Sequence, residues 1–398
     1  MRLSEKALSI SASPTLMIDS KAKAMKAQGI DVIGFGAGEP DFDTPDNIKE
    51  AAIKAIKEGK TKYTPASGIP ELKKAVVKKF RDDNDIDYDI SSIVISNGAK
   101  HALLNAFSAI CNPGDEVIIP APYWVSNPEF AKLSGAVPVF LYTFEKDRFE
   151  FDTDTLKRHL SIKTKAVLLN SPNNPTGMIY SDELLKAIAK LAMERDLVII
   201  SDEIYESLTY DGIKHNSIVS LCPEVRDRTI IINGVSKTYA MTGWRIGYTA
   251  SNQDIAKIIS NIQSHATSNP NTIAQYAALE ALTGPQDTVA EMKIHFERRR
   301  DLMSVTINDL PMLSCIRPMG AFYVLMNISQ IKGLTYDKRV IVNTSDRFAE
   351  LLLDDFKVAV VPGSGFGTDD HVRLSYAVSD DNIREGLSRI GEFVSKFR

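Results

Sequence analysis

The runs Ala166-Val-Leu-Leu-Asn170 and Leu197-Val-Ile-Ile-Ser-Asp-Glu203, with Ser181-Asp-Glu-Leu-Leu185 between them, decide the fold. Short apolar runs of this kind, rich in β-branched residues, read as strands buried on both faces. From Ser181 onward, Leu184, Leu185, Ile188 and Leu191 fall on one helical stripe behind an N-capping serine. A helix of that length is the crossover that two parallel neighbours require. Similar runs recur at Ile93-Val-Ile95, Val117-Ile-Ile119 and Thr229-Ile-Ile-Ile232. The middle of the chain therefore reads as α/β with a largely parallel sheet.

Outward from this centre the pattern changes. On the N-terminal side, Ile48, Ala51, Ala52, Ala55 and Ile56 keep helical spacing, with Thr44 placed as N-cap, Pro45 at the first helical position and Gly59 just past the end. Residues 70–80 repeat the period, and Lys73, Lys74, Lys78 and Lys79 read as its solvated face. Beyond about residue 285 a long charged helix ends in Glu297-Arg-Arg-Arg300. It is followed by the run Ala321-Phe-Tyr-Val-Leu325, a helix from Asp346 to Leu353, strands at 358–361 and 371–375, and a final helix. This mixed order predicts a smaller α+β domain. The expected division is 1–44 as an N-terminal arm and part of the small domain, 45–285 as the large domain and 286–398 as the small domain.

With 398 residues the chain is long enough for a sizeable core, and 44% apolar with 25% charged residues is ordinary globular composition. A net charge of −4 without blocks of one sign gives no electrostatic support to nucleic-acid or membrane binding. Cys111, Cys222 and Cys315 are too far apart for a CxxC pair, which fits a reducing compartment, and no metal site is expected. Glu5, Lys6 and Pro14 break the apolar stretch a signal peptide needs, and no run approaches the ~20 residues of a membrane span. A cytoplasmic location is expected.

Six segments could carry chemistry, although each alone has an ordinary structural explanation. Gly34-Phe-Gly-Ala-Gly38 fails the GxGxxG spacing and reads as a tight irregular turn. Ser96-Asn-Gly-Ala-Lys-His101 passes from strand to helix and offers backbone N–H groups at Gly98, Ala99 and Lys100 that could hold a phosphate. Asn174, in a proline-rich loop after the Ala166 strand, offers an amide. Asp202 stands at the carboxyl end of a buried strand, where ligands of open α/β sheets collect, with Tyr205 three residues on. Lys237 follows another apolar run, where desolvation can make it nucleophilic, and Arg245 comes eight residues later. Arg373, in Val372-Arg-Leu-Ser-Tyr376, suits a carboxylate or a structural salt bridge. A phosphate cradle, a ring-nitrogen acid, a phenol, a Schiff-base lysine and two arginines together describe a site for pyridoxal 5'-phosphate.

Further motifs carry a resemblance over nearly the whole chain: Ser13-Pro-Thr15, Ala37-Gly-Glu-Pro-Asp-Phe-Asp-Thr-Pro45, Lys62-Tyr-Thr64, Pro122-Tyr-Trp-Val-Ser126, Asn173-Asn-Pro-Thr-Gly177, Ser236-Lys237 and Met241-Thr-Gly-Trp-Arg-Ile-Gly247. The chain resembles the class I aminotransferases of fold type I, in the bacterial branch of aspartate and aspartate/prephenate enzymes. The resemblance implies a seven-stranded, mostly parallel sheet in the large domain, a smaller α+β domain and a homodimer with shared active sites. It implies that Lys237 bonds the cofactor and shuttles the α-proton, and that Asp202 pairs with the ring nitrogen. Asn174 and Tyr205 would hold the ring oxygen, and Trp124 would stack on the ring. Gly98, Ala99, Lys100, Ser236 and Arg245 would surround the phosphate, with Tyr63 arriving from the partner subunit. Trp124 would meet the substrate, and Gly38, Asn174 and Arg373 would take its α-carboxylate. Lys100, helped by cross-subunit groups at Ser13 and Thr15, would meet a distal carboxylate.

The expected activity is amino transfer from L-aspartate to 2-oxoglutarate. Two positions depart from the family pattern: Asn127 replaces a tyrosine, and Ser268-Asn-Pro270 stands where many relatives read Ser-Pro. Prephenate-using relatives carry a lysine where this chain has Ser11, so weak prephenate activity is expected. Other readings on this fold are transamination of aromatic or alanine-like substrates, and β-elimination. A cofactor-sensing regulator would resemble a fusion with a DNA-binding module, and only about forty residues precede the Thr44 helix.

Overall fold

The computed structural model describes residues 1–12, 14–338 and 340–398, without the side chains of residues 14–16 and 19. Seven strands form the main sheet: β1 (Ile93–Ser96), β2 (Glu116–Ala121), β3 (Val137–Tyr142), β4 (Thr164–Asn170), β5 (Val198–Asp202), β6 (Thr229–Gly234) and β7 (Gly247–Ala250). Their spatial order is β1-β7-β6-β5-β4-β2-β3. Six run parallel, and β7 alone runs antiparallel to its neighbours β1 and β6.

Alternation along each strand sends side chains into two separate cores. Ile95, Ile118, Val167, Ile199 and Ile231 face one layer, packed by helices Asp46–Lys57, Pro70–Asn84, Asp182–Arg195 and Thr272–Thr283. Val94, Val117, Leu168, Ile200 and Ile232 face the other, under helices Ala99–Ile110 and Gln253–Ala266. Each fully buried aliphatic side chain contributes about 1.5–3 kcal/mol of transfer free energy, which is why apolar runs rather than alternating ones mark these strands.

A third core joins the chain's two ends. Ile33 and Phe35 pack with Phe296, Phe322, Phe348, Leu374 and Phe393, and Tyr205 and Leu208 enter it from beyond β5. Three antiparallel strands lie here, β8 (Tyr323–Asn327), β9 (Val361–Pro362) and β10 (His371–Ser375), with β10 in the centre. The two-residue strand Ile33–Gly34 pairs in parallel with Val358–Ala359. Among the described residues no helix is long and apolar enough to cross a membrane.

Several local expectations are corrected. Pro45 occupies the N-cap of the Asp46 helix, while the Thr44 hydroxyl donates to the Ala240 carbonyl and accepts from the Trp244 indole N–H at 3.0 Å. Lys79 leaves its solvated face to pair with Glu206, both side chains being at least nine-tenths buried. The helix through Glu297-Arg-Arg-Arg300 continues to Asp309; Arg298 is exposed, but Arg299 and Arg300 are buried, Arg299 bonding Asp41 and Asp380, and Arg300 bonding Asp211 and Asp301.

The amino end of β7 lies against the start of the Ala99 helix so closely that a Cβ on Gly247 would overlap the Ala99 nitrogen and the Gly98 carbonyl carbon. Gly247→Ala should therefore cost about 1–3 kcal/mol by overpacking, measured by urea unfolding. An unchanged midpoint would show that the two segments separate freely.

Candidate active site

Parallel strands bring their carboxyl ends to one edge of the sheet, and the antiparallel β7 brings its amino end to the same edge. Ala99 and Lys100 after β1, Trp124 after β2, Asn174 after β4, Asp202 on β5 and Lys237 after β6 thus converge, and Arg245 arrives just ahead of β7. They surround a cavity of about 480 Å³, within the range of small-molecule and cofactor sites.

At one end lies the first turn of the helix Ala99–Ile110, which has no side-chain cap. The N–H groups of His101 and Ala102 reach back to the Gly98 carbonyl, and those of Ala99 and Lys100 have no acceptor within the helix. Gly98, expected as a third donor, is spent: its N–H bonds the Ser96 carbonyl at 2.7 Å. Its importance is shape, since its φ is +83° and the Arg245 guanidinium occupies the space a side chain would need. Arg245 itself is exposed, anchored on the Thr242 carbonyl at 2.8 Å, and Ser236 is buried beside it.

In the centre, Lys237 bonds the Gly38 carbonyl and lies over the rings of Phe322 and Tyr205. Burial lowers its pKa to about 8 against the opposing pull of Glu39, with Arg373 and Arg245 adding repulsion. Asp202 is buried and keeps one backbone bond, from the Ile204 N–H at 3.3 Å; burial raises its pKa to about 7. Glu203 beside it is buried as well, so neither carboxyl group stands in solvent at the strand end. Behind them, Glu203 accepts from Ser201 and Ser217 and faces His215 at 3.3 Å, while Lys79 and Asn84 hold Glu206. Lys100, exposed at the cavity mouth, lies over Trp124 at 4.9 Å; partial burial and Arg245 lower its pKa.

Arg373 closes the opposite side. It is 1% exposed, and its guanidinium bonds Asn174 Oδ1 at 3.0 Å and the Gly36 carbonyl at 2.8 Å. It lies over Tyr323 at 4.4 Å and Phe366 at 5.1 Å, and its Nε has no partner. Among the described residues no carboxylate pairs with it, so the salt-bridge alternative falls. Gly34-Phe-Gly-Ala-Gly38 is not merely a turn: Gly34 belongs to a strand, and Gly36 and Gly38 present carbonyls to the two buried cations.

Not every expected residue is here. Tyr63 is 89% exposed and does not line this cavity. Ser13 and the Thr15 side chain lie outside the described residues. Sequence reasoning missed Glu39, which accepts from Thr242 at 2.7 Å, and Tyr323, whose hydroxyl lies 2.9 Å from that of Tyr205. Glu39 stood within a quoted motif, but Tyr323 lies in an apolar run that reads only as core.

The residues present fit pyridoxal 5'-phosphate. A helix N-terminus with an arginine suits its phosphate, a carboxyl group its ring nitrogen and an amine of lowered pKa its aldehyde. Residues 30–390 match the family model of the class I and II aminotransferases, and the chain belongs to that family, as a pyridoxal-phosphate-dependent aminotransferase. It is 49% identical to the aspartate aminotransferase of Geobacillus stearothermophilus, covering 99% of both chains. It is 46% identical to the probable aspartate/prephenate aminotransferase of Rickettsia bellii, covering 96% of each. The aspartate aminotransferase of Thermus thermophilus, solved with maleate, superposes with a TM-score of 0.93 at 43% identity, covering 99% of this chain and 100% of that one.

Only a neutral amine attacks an aldehyde, and the Lys237 pKa is depressed to about 8. Capture of pyridoxal phosphate by the cofactor-free protein should therefore accelerate as pH rises through about 8 and then level off. A rise continuing toward the ordinary lysine value, about 10.4, would contradict the desolvation of Lys237.

Proposed function

We propose that this chain transfers the amino group of L-aspartate to 2-oxoglutarate, giving oxaloacetate and L-glutamate by a ping-pong mechanism. The observation that carries this reading is Arg373, a buried guanidinium with no protein carboxylate, in a cavity whose mouth holds a second cation, Lys100. Both substrates and both products are dicarboxylates, as is the maleate named with the Thermus relative.

Bound pyridoxal phosphate supplies an electrophilic aldehyde and a ring that accepts the electron pair released at the substrate α-carbon. Arg373 takes the α-carboxylate bidentately, with Gly38 beside it, and Lys100 takes the distal carboxylate. Lys237 Nζ moves the α-proton, for which a pKa near the working pH suits it. Asp202, buried with a single backbone hydrogen bond, would hold the ring nitrogen in its protonated form. Asn174 spends its Oδ1 on Arg373, leaving its amide N–H₂ for the ring oxygen alongside Tyr205. Trp124 covers the ring face. Ala99, Lys100, Ser236 and Arg245 hold the phosphate, the first two through backbone N–H groups.

A dual aspartate/prephenate activity is the second reading, favoured by the Rickettsia relative. Against it, Ser11 brings no charge, and its backbone N–H is held by Glu129 at 3.2 Å. We also infer a homodimer in which Tyr63, exposed on its own subunit, completes the partner's site.

Lys100→Ala should lower kcat/KM for aspartate about 10²-fold, the worth of a partly desolvated ion pair, and leave alanine-like donors nearly unchanged. An equal loss for all donors would reduce Lys100 to a phosphate contact. In the unmodified protein, prephenate should be a far poorer acceptor than oxaloacetate; equal efficiencies would move the assignment to the dual-specificity branch.

Mixing an inactive Tyr63 variant with an inactive Lys237 variant should restore part of the activity as hybrid dimers form. No recovery despite demonstrated subunit exchange would refute shared sites.

A further inference from the structure

Tyr323 is 1% exposed at the start of β8, beside the central strand that carries Arg373. Its hydroxyl lies 2.9 Å from the Tyr205 hydroxyl, and the two rings meet edge-on at 5.8 Å. Its face carries the Arg373 guanidinium at 4.4 Å. The hydroxyl also borders Gly38, where a Cβ would approach within 3.2 Å of it. One side chain therefore touches the carboxylate-binding arginine, the phenol proposed for the ring oxygen and the wall of the substrate space.

Proton counting decides what this contact does. Each phenol has one proton and can also accept. If Tyr205 donated to Tyr323, its only proton would be spent and it would face the cavity as an acceptor. If Tyr323 donates, the Tyr205 proton is free to point into the cavity. The stronger acid of such a pair donates. Burial raises both phenols and Arg373 opposes the rise in both, but the guanidinium lies directly on the Tyr323 ring face, and Tyr205 stays well above the ordinary range, raised by burial and by Tyr323 itself.

We infer that Tyr323 is a positioning residue: its hydroxyl donates to Tyr205 and so aims the single Tyr205 proton into the cavity, at the ring oxygen. The inference rests on the reading of Tyr205 given above and adds what orients it. A phenylalanine at 323 keeps the ring under Arg373 and removes only the donor. Tyr205 then has no partner fixing its proton, and negative charge on the ring oxygen is less stabilised.

The test is a pH titration of visible absorbance in the loaded enzyme, without substrate, because its midpoint reports how well charge on the ring oxygen is stabilised. Losing a donor to that charge favours the protonated form, so Tyr323→Phe should raise the midpoint by about 0.5–1 unit. It should lower kcat several-fold and leave KM for aspartate within about twofold. Tyr205→Phe should raise the midpoint further, and Tyr205→Phe/Tyr323→Phe should match Tyr205→Phe alone, because the Tyr323 hydroxyl acts only through Tyr205. An unchanged midpoint in Tyr323→Phe, or additive shifts in the double variant, would overturn the inference. Since the titration needs no substrate, it stands or falls independently of the donor preference read from Lys100→Ala.

Discussion

A fully buried guanidinium without a carboxylate partner is the constraint on which the rest of the site depends. Removing a charge from water is expensive unless other groups replace its solvation. For Arg373 the replacements come from three separate parts of the chain: the Gly36 carbonyl, the Asn174 amide oxygen and the faces of Tyr323 and Phe366. None is an anion. The cation is solvated well enough to remain in place and left short of a counter-ion, which the substrate carboxylate supplies in the proposed reaction. Holding it requires the N-terminal segment, the main sheet and the small sheet to meet at one point, and the third core, running from Ile33 to Phe393, makes them meet.

The main sheet solves a complementary problem. Its strand ends deliver Asp202 and Lys237 into low dielectric, where each loses part of the stability of its charged form. One consequence concerns pH. Asp202, raised to about 7 from 3.8, binds a proton more tightly folded than unfolded; alone it would stabilise the cofactor-free fold at low pH and lose that contribution as pH rises through about 7. Lys237, lowered to about 8 from 10.5, penalises the fold below about 8, and the penalty is relieved as pH rises from there toward 10.5. A cationic ring nitrogen facing Asp202 and a covalent bond at Lys237 would remove both burdens, so burial that is unfavourable without the cofactor favours its capture.

Much of this was legible in the sequence, because the strands of a covered parallel sheet must be apolar on both faces. Five of the seven announce themselves in this way. β3 is interrupted by Pro138 and half-exposed at its start, and β7, Gly-Tyr-Thr-Ala, is too short and too polar to register; both come only from sheet neighbours. Charge was misread where tertiary contacts override local pattern. Lys79 belongs to a surface stripe by spacing but is claimed by Glu206, and Arg299 and Arg300 look like a helix terminus until Asp41, Asp380 and Asp211 appear from distant segments. Within the site, the groups that sequence could mark were those bearing charge or standing at strand ends. Tyr323 does neither, and its hydroxyl acquires meaning only when β8 brings it to Tyr205.

The most direct test of the account concerns the missing counter-ion. Thermal unfolding of the protein against increasing succinate, an unreactive dicarboxylate, measures whether an anion completes the fold at Arg373. A ligand bound only by the native state stabilises it by about 2.7 kcal/mol at a hundred times its Kd. The unfolding temperature should climb steadily with succinate in the unmodified protein and stay flat in Arg373→Gln. An equal climb in both would mean that the buried guanidinium is not where the carboxylate binds.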